Sequence, residues 1–154
     1  MAAYCDTNFF VHLLIEGEES ATAIRRLQSI RGTRSPAIPV TWLIQVEVAN
    51  ALQQAVFLGR QGAQPHVGPQ QADVAQARFD EWLADGVHFV AAPLATGELA
   101  QEARRISIRH TSRHGFRAYD VVHVASALLL KRDTFWSFDL KASQLAKLEG
   151  LRTL

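Results

Sequence analysis

The sequence predicts an α/β fold, in which a parallel β-sheet of four or five strands carries helices on both faces. Short apolar segments alternate with longer segments whose apolar residues recur at helical spacing. Glycine, proline and polar residues that favour turns separate these segments. Such alternation favours right-handed βαβ crossovers and therefore parallel strands. We expect one domain over residues 1–154, because this length and 48% hydrophobic residues suffice for a single core.

Five segments predict strands. The first is short and apolar and runs directly into Asp6, Thr7 and Asn8. The second contains Pro39, which a sheet tolerates only near an edge. The predicted strands cover residues 2–5, 37–40, 87–91 and 134–138, with 151–154 as a terminal edge strand.

Helices are predicted from apolar periodicity and from capping residues at their ends. Ser20 and Thr41 each precede a helix as a capping residue, and Gly59 is expected to close the helix that Thr41 begins. A loop rich in glycine and proline, residues 60–69, follows. The predicted helices cover residues 8–15, 20–30, 41–58, 69–85, 94–110, 119–130 and 141–148, with basic turns at 31–36 and 111–115.

Composition excludes several classes of protein. Cys5 is the single cysteine, so an intrachain disulfide and a cysteine-rich zinc site are both excluded. No apolar run approaches the roughly 20 residues of a membrane span, and the first residues lack the pattern of a signal peptide. We therefore expect a cytoplasmic protein with no membrane partner. The formal net charge of +1 gives no overall basic signature, so any affinity for nucleic acid must come from local patches.

Four of the 15 acidic residues lie in apolar surroundings, whereas the others lie mostly in polar bends and on helix faces. Asp6 and Asp139 directly follow predicted strands, and Glu47 and Asp120 lie near helix starts, where the helix dipole partly offsets negative charge. An isolated buried carboxylate is costly or becomes protonated, so these side chains need cations or hydrogen-bond donors.

In a parallel sheet these four carboxylates can converge at the edge where ligand sites lie. Without a matching lysine or arginine beside them they would repel one another, and Mg²⁺ or Mn²⁺ relieves such repulsion through oxygen ligands. These cations lower the pKa of an attacking water and stabilise a leaving oxygen, which predicts hydrolysis of a phosphodiester without a covalent intermediate. From the residues alone, the alternative that each acid is a separate helix cap stays open.

The four acids lie in distinctive local sequences. Residues 4–8 read YCDTN, and residues 45–52 read QVEVANAL. Residues 118–127 read AYDVVHVASA, and residues 135–141 read FWSFDLK. In this order, over nearly the whole chain, they resemble the strand-D-[ST]-N, acidic EV-x-x-AL, D-x-x-H-x-A-x-A and T-x-D motifs of PIN-domain nucleases, with Ser137 in place of the usual threonine of the last motif. Among these nucleases the sequence resembles the VapC toxins of type II toxin–antitoxin systems.

The resemblance implies a PIN fold and a site that binds Mg²⁺, with Mn²⁺ as a substitute. Asp6 and Asp120 would be the principal metal ligands and catalytic residues, completed by Glu47 and Asp139. The residues implied to hydrogen-bond these carboxylates or the water on the metal are Thr7, Asn8, Asn50 and Ser137.

The resemblance also implies a function and partners. VapC-like toxins are endoribonucleases that hydrolyse phosphodiester bonds of RNA, often at one site in a tRNA or rRNA, and mRNA is a further possible substrate. They are commonly homodimers, and a cognate antitoxin silences them. We therefore expect a VapB-like antitoxin that enters the acidic pocket, with an arginine directed at the carboxylates.

Basic residues before Asp120 offer contacts for RNA phosphates. We expect these contacts from Arg109, Arg113 and Arg117, and an ordinary solvated helix face is the competing interpretation. A second basic group is interpreted as solvated surface and consists of Arg25, Arg26, Arg31 and Arg34.

Other notable side chains have structural interpretations. His123 lies one turn beyond Asp120, and we interpret it as a packed or hydrogen-bonded residue rather than a general base. Cys5 is interpreted as an inert core thiol. The residues interpreted as core or dimer-interface residues are Trp42, Trp82 and Trp136.

Two functions of other classes stay open. A catalytically silent PIN-like module that binds protein or RNA would keep the fold and need bind no metal. A phospho-accepting receiver domain would need one dominant aspartate and a lysine at a strand end. The three lysines, Lys131, Lys141 and Lys147, all lie late in the chain and none lies convincingly at a predicted strand end.

Overall fold

Five parallel strands form the centre of the structure, which is a computed structural model that describes residues 1–30 and 35–153. Within these residues the strands are β1 (Ala3–Cys5), β2 (Ile38–Val40), β3 (Phe89–Ala91), β4 (Thr134–Trp136) and β5 (Arg152–Thr153). β4 pairs with β1 on one side and β5 on the other, and β2 pairs with β3. Each of these pairings is parallel, as the sequence predicts.

Helices connect these strands. In the described ranges they are α1 (Thr7–Leu14), α2 (Ser20–Ile30), α3 (Trp42–Arg60), α4 (Pro69–Asp85), α5 (Thr96–His114), α6 (Ala118–Leu129) and α7 (Leu140–Leu148). α1 packs against α2, α3 and α4, and α6 packs against α5 and α7. None of the helices described is both long and apolar enough to cross a membrane.

Pro39 accounts for the division of the strands into two hydrogen-bonded groups. β2 lies beside β1, but its ladder is formed with β3 alone. Ile38 donates its N–H to the carbonyl of His88, and the carbonyl of Val40 accepts from the N–H of Ala92. His88 and Ala92 flank β3, so Ile38 and Val40 both direct these backbone groups to the β3 side of the strand. Pro39 therefore faces β1, and it has no N–H to donate there. The proline lies at an edge, as predicted, and that edge falls in the middle of the strand array.

Two helices extend past their predicted ends. α3 continues through Gly59 to Arg60, two residues beyond the predicted end at 58. Gly59 is instead a packing position, because a Cβ on it would lie 3.1 Å from the carbonyl oxygen of Val67. α5 continues to His114, so the predicted turn over 111–115 is wrong for its first four residues. The actual terminator is Gly115, whose φ of 65° suits glycine.

An aromatic core ties the helices to the strands. Phe9, Phe10 and Trp136 are almost fully buried, and Phe10 contacts Phe79 and Phe89 with ring centroids 5.6 and 5.2 Å apart. Cys5 is fully buried in this core, as predicted. Of the other two tryptophans, Trp82 packs on Phe89 and Trp42 is 53% exposed. The predicted basic turn at 31–36 lies partly outside the described residues. Arg31 and Arg34, which were predicted to lie on the surface, are both outside them.

Two glycines in helices provide a matched test of this packing. We expect Gly59→Ala to destabilise the fold by about 1 kcal/mol, because the added methyl group meets the Val67 backbone in a packed contact. Gly97 lies near the start of α5 with open space around its Cβ position, so Gly97→Ala should stabilise by about 0.5 kcal/mol through helix propensity. Urea denaturation of both variants measures the difference. Equal stabilisation by both substitutions would show that Gly59 is not a packing position.

Candidate active site

A pocket of about 260 Å³ lies where the chain leaves β1 and β4. The parallel register places Cys5 opposite Trp136, and the N–H of Asp6 donates to the Trp136 carbonyl over 3.1 Å. The residues that line the pocket are Asp6, Thr7, Asn8, Glu47, Arg117, Tyr119, Asp120, His123 and Asp139. The structure therefore brings all four predicted acids into one pocket, although they come from four different segments of the chain.

Asp6 and Asp139 both cap helices that point their N-termini at the pocket. Asp6 accepts a hydrogen bond from the backbone N–H of Phe9 over 3.2 Å at the start of α1. Asp139 accepts from the N–H groups of Lys141 and Ala142 over 2.7 and 3.1 Å at the start of α7. β4 ends at Trp136, two residues earlier than predicted, so Asp139 follows a short turn rather than the strand itself. The helix-cap interpretation and the shared site are thus both true of these residues.

Glu47 is held by donors from two other elements. The Thr7 hydroxyl, on α1, donates to the Glu47 carboxylate. Nε2 of His123, on α6, lies 2.7 Å from the same carboxylate. On the other side of the ring, His123 Nδ1 lies 3.0 Å from the Tyr4 hydroxyl. A neutral imidazole satisfies both contacts by accepting from Tyr4 at Nδ1 and donating from Nε2 to Glu47. His123 is therefore a buried hydrogen-bonded residue, as predicted, and it fixes the Glu47 carboxylate.

Arg117 supplies a cation beside two of the four acids. Its Nε and Nη2 atoms lie 3.1 and 3.2 Å from the two oxygens of Asp120, and Nη2 also lies 2.6 Å from Asp139. The backbone N–H of Arg117 donates to Asp120 as well, over 3.2 Å. The expectation that the four acids lack a matching lysine or arginine is therefore wrong. The side chain of Arg117, the N-cap residue of α6, pairs with both Asp120 and Asp139.

Burial and these partners divide the acids electrostatically. Burial raises the pKa of Asp6 from 3.8 to about 6, although the nearby His123 and Ser137 oppose this shift. For Glu47, burial also raises the pKa, but the contacts with His123 and Thr7 outweigh it and leave the pKa below its usual value. Burial likewise opposes the net lowering of the Asp139 pKa that its backbone donors and Arg117 produce. Asp6 is thus the acid of these three that the protein solvates least well.

Three of the four predicted hydrogen-bonding partners lie at the site. Thr7 holds Glu47, as described above. Asn8 accepts from the N–H of Phe138 over 3.1 Å and approaches Ser137, and the Ser137 hydroxyl accepts from the N–H of Asp139 over 2.9 Å. These contacts tie the start of α1 to the turn that carries Asp139. Asn50 is exposed on α3 and is not among the residues that line the pocket.

The predicted RNA-contacting arginines are placed differently from one another. Arg117 lines the pocket, and Arg113 is exposed in the last turn of α5. Arg109 lies 3.6 Å from Glu149, whose carboxylate also pairs with Arg105 and His110 over 2.5 and 2.6 Å. This cluster joins α5 to the end of α7, which favours a structural interpretation for that part of the basic segment.

Two residues of the site were not identified from the sequence. Tyr4 was assigned only to a strand, and its alternation with Cys5 in a fully buried strand gives no local signal of its bond to His123. Tyr119 is 62% exposed at the mouth of the pocket. Its position next to Asp120, on the first turn of an apolar helix, was a signal that could have found it.

The donor set suits a hard divalent cation, since four carboxylates supply oxygen atoms and the pocket offers no thiol. Asp6, Glu47, Asp120 and Asp139 would hold such an ion. Within residues 1–30 and 35–153, however, no three acidic, histidine or cysteine side chains are placed so that they bind one ion together. Arg117 and His123 engage oxygens of three of the four acids; the exposed Arg117 side chain can exchange its carboxylates for water when a cation binds, whereas the His123 side chain is buried.

Solved structures with the same fold include three at low sequence identity. VapBC2 from Rickettsia felis, bound to a DNA fragment from their promoter, matches with a TM-score of 0.67 and 11% identity over 100% of this chain and 98% of that chain. VapC20 from Mycobacterium tuberculosis, a sarcin-ricin loop cleaving toxin, gives 0.64 and 17% over 93% and 94%. FitAcB from Neisseria gonorrhoeae gives 0.60 and 13% over 99% and 96%.

Sequence comparison identifies the family. No curated protein matches the chain. The family model of the PIN domain matches residues 3–148, a range that contains all four acids of the pocket and the elements that position them. The chain therefore belongs to the PIN domain family.

Proposed function

We propose that this protein is the toxin of a type II toxin–antitoxin system, of the VapC type, and acts as a Mg²⁺-dependent endoribonuclease. PIN domains are generally nucleases that use divalent metal ions. The observation that carries the proposal is the convergence of Asp6, Glu47, Asp120 and Asp139 in one pocket of such a domain. Mn²⁺ would substitute for Mg²⁺, since both cations prefer oxygen ligands.

Each part of the pocket has a role in this reaction. When bound, the divalent cation lowers the pKa of the attacking water and offsets charge that develops on the phosphate. The four carboxylates would hold the cation, and Thr7, His123 and the N-terminal N–H groups of α1 and α7 keep those carboxylates oriented. Tyr119 at the mouth can stack on a base, which single-stranded RNA offers and a duplex does not.

RNA is proposed as the substrate because VapC20, which shares this fold, is a sarcin-ricin loop cleaving toxin. A VapB-like antitoxin and a second copy of the chain are the proposed protein partners. The exposed face of α3 offers an apolar surface for such contacts through Trp42, Val46 and Phe57, which are 53%, 59% and 59% exposed. We place this activity in the cytoplasm, in one domain over residues 1–154.

Removal of one pocket carboxylate should abolish cleavage. We expect Asp120→Asn to lower the rate of Mg²⁺-dependent RNA cleavage by at least about a hundredfold, because even residues that only orient metal ligands contribute 10- to 100-fold. Asp73→Asn is the control, since Asp73 is exposed on α4 and the substitution changes charge equally. Cleavage of total bacterial RNA with Mg²⁺ or with EDTA, followed by sequencing of the new 5′ ends, is the assay.

The outcomes of this assay separate the alternatives. EDTA-insensitive cleavage of equal rate by wild type, Asp120→Asn and Asp73→Asn would contradict the proposal. Absence of cleavage combined with absence of Mn²⁺ binding in calorimetry would indicate a catalytically silent module.

The burial of Asp6 leads to a prediction on stability. Its pKa of about 6 lies above the unfolded value of 3.8. Ionisation of Asp6 therefore lowers the free energy of unfolding at pH values above 6, and this loss is reversed as the pH falls toward 4. Asp6→Asn keeps a good N-cap and removes the charge. We expect this variant in EDTA at pH 7.5 to be more stable than wild type by about 1–3 kcal/mol, and the advantage should disappear near pH 4.

Urea denaturation at pH 4, 5, 6 and 7.5 measures this difference. Asp73→Asn should show no such dependence, because Asp73 is exposed. An Asp6→Asn protein that is less stable than wild type at every pH would show that the ionised carboxylate stabilises the metal-free fold.

A further inference from the structure

Arg117 lies in an electrostatically unusual place. Its guanidinium contacts Asp120, in the first turn of α6, and Asp139, the N-cap of α7. Helix N-termini carry partial positive charge, so a cation is disfavoured at both of these ends. The stability of the two helices therefore does not account for the position of Arg117. The two carboxylates account for it, since they need a positive partner and Arg117 is the side chain that provides it for both.

The contact is also built so that it can be broken. The Arg117 side chain is 67% exposed, whereas those of Asp120 and Asp139 are 9% and 29% exposed. The exposed guanidinium itself loses little when it leaves such a pair, because water solvates it, whereas the more buried carboxylates then need another positive partner in its place. Asp139 keeps its two bonds from the backbone of α7 when Arg117 leaves. Release of Arg117 therefore leaves the carboxylates in place with oxygens available.

We propose that Arg117 is the internal counter-ion of the metal-free site: it competes with the divalent cation for Asp120 and Asp139, and once displaced it binds an RNA phosphate beside the bond that is cleaved. The inference rests on the proposed function. A planar guanidinium suits both states, because its paired N–H donors match a carboxylate and a phosphate equally. Arg117 is thus a positioning residue that links cation binding to substrate binding.

The first test measures cation affinity without RNA. Isothermal titration with Mn²⁺ is carried out on wild type, Arg117→Gln and Arg113→Gln at the same ionic strength. We expect Arg117→Gln to bind Mn²⁺ about tenfold more tightly than wild type, because a charge-assisted competitor is gone. Arg113 lies four residues earlier and is exposed in the last turn of α5, so Arg113→Gln removes the same charge and should change affinity less than about twofold.

The second test follows the side chain itself. In the metal-free protein Arg117 Nε–H donates to Asp120, so its side-chain ¹H–¹⁵N signal, assigned by its loss in Arg117→Gln, should be distinct from those of solvated arginines. Saturation with Mg²⁺, which is diamagnetic, should move this signal to the solvated position. A signal that keeps its position at saturating Mg²⁺ would overturn the inference.

The third test uses RNA at saturating Mg²⁺. We expect Arg117→Gln to raise KM for RNA about tenfold with a smaller change in kcat, because one phosphate contact is lost. Unchanged KM would overturn the second half of the inference. Wild-type protein that binds no Mn²⁺ and cleaves no RNA would refute the proposed function, and the inference with it. Wild-type protein that binds and cleaves normally, with Arg117→Gln no tighter for Mn²⁺, would refute the inference alone.

Discussion

The parallel pairing of β1 with β4 sets the central constraint, because it places the segments that follow both strands side by side and gathers their acidic side chains. Asp6 follows one strand and Asp139 the turn after the other, and α3 and α6 add Glu47 and Asp120 to the same pocket. Ionised carboxylates that share one pocket destabilise one another unless positive charge or hydrogen-bond donors surround them. Much of the local structure is a response to that requirement. Helix N-termini, the Thr7 hydroxyl, His123 and Arg117 all direct donors at the acids.

The acids differ in how well these donors stabilise their ionised forms, and this difference bears on function. Glu47 and Asp139 receive enough donors for their pKa values to fall below the usual range despite burial. Asp6 accepts a single backbone bond from Phe9 and lies 5% exposed, so burial dominates and its pKa is raised. A buried carboxylate in this condition gains more from an added cation than one that is already paired. A metal ion would therefore stabilise the ionised Asp6 carboxylate, which burial destabilises in the metal-free protein.

The sequence was sufficient for features that depend on local signals. Short apolar segments located the strands, and apolar periodicity with capping residues located the helices and most of their ends. The four acids were recognisable because each lies among apolar residues in the sequence. It was insufficient where the partner comes from elsewhere in the fold. The bond between Tyr4 and His123 joins residues 119 positions apart, and that between Arg117 and Asp139 joins residues 22 apart. The resemblance implied a role for Asn50 beside the carboxylates, whereas in the structure its side chain is exposed on α3 and does not line the pocket.

The two cationic or polar supports of the pocket differ in how firmly they are anchored. His123 is 5% exposed, and its ring is fixed between Tyr4 and Glu47, so its release would leave buried polar atoms without partners. The exposed Arg117 guanidinium loses little on leaving because water solvates it, whereas the buried Asp120 carboxylate then needs another cation in its place. The pocket thus combines a rigid side, which preserves the orientation of Glu47, with an exchangeable side, which yields Asp120 and Asp139. A site that binds a cation and a polyanion needs both properties, because the ligands must stay oriented while the charge that compensates them changes.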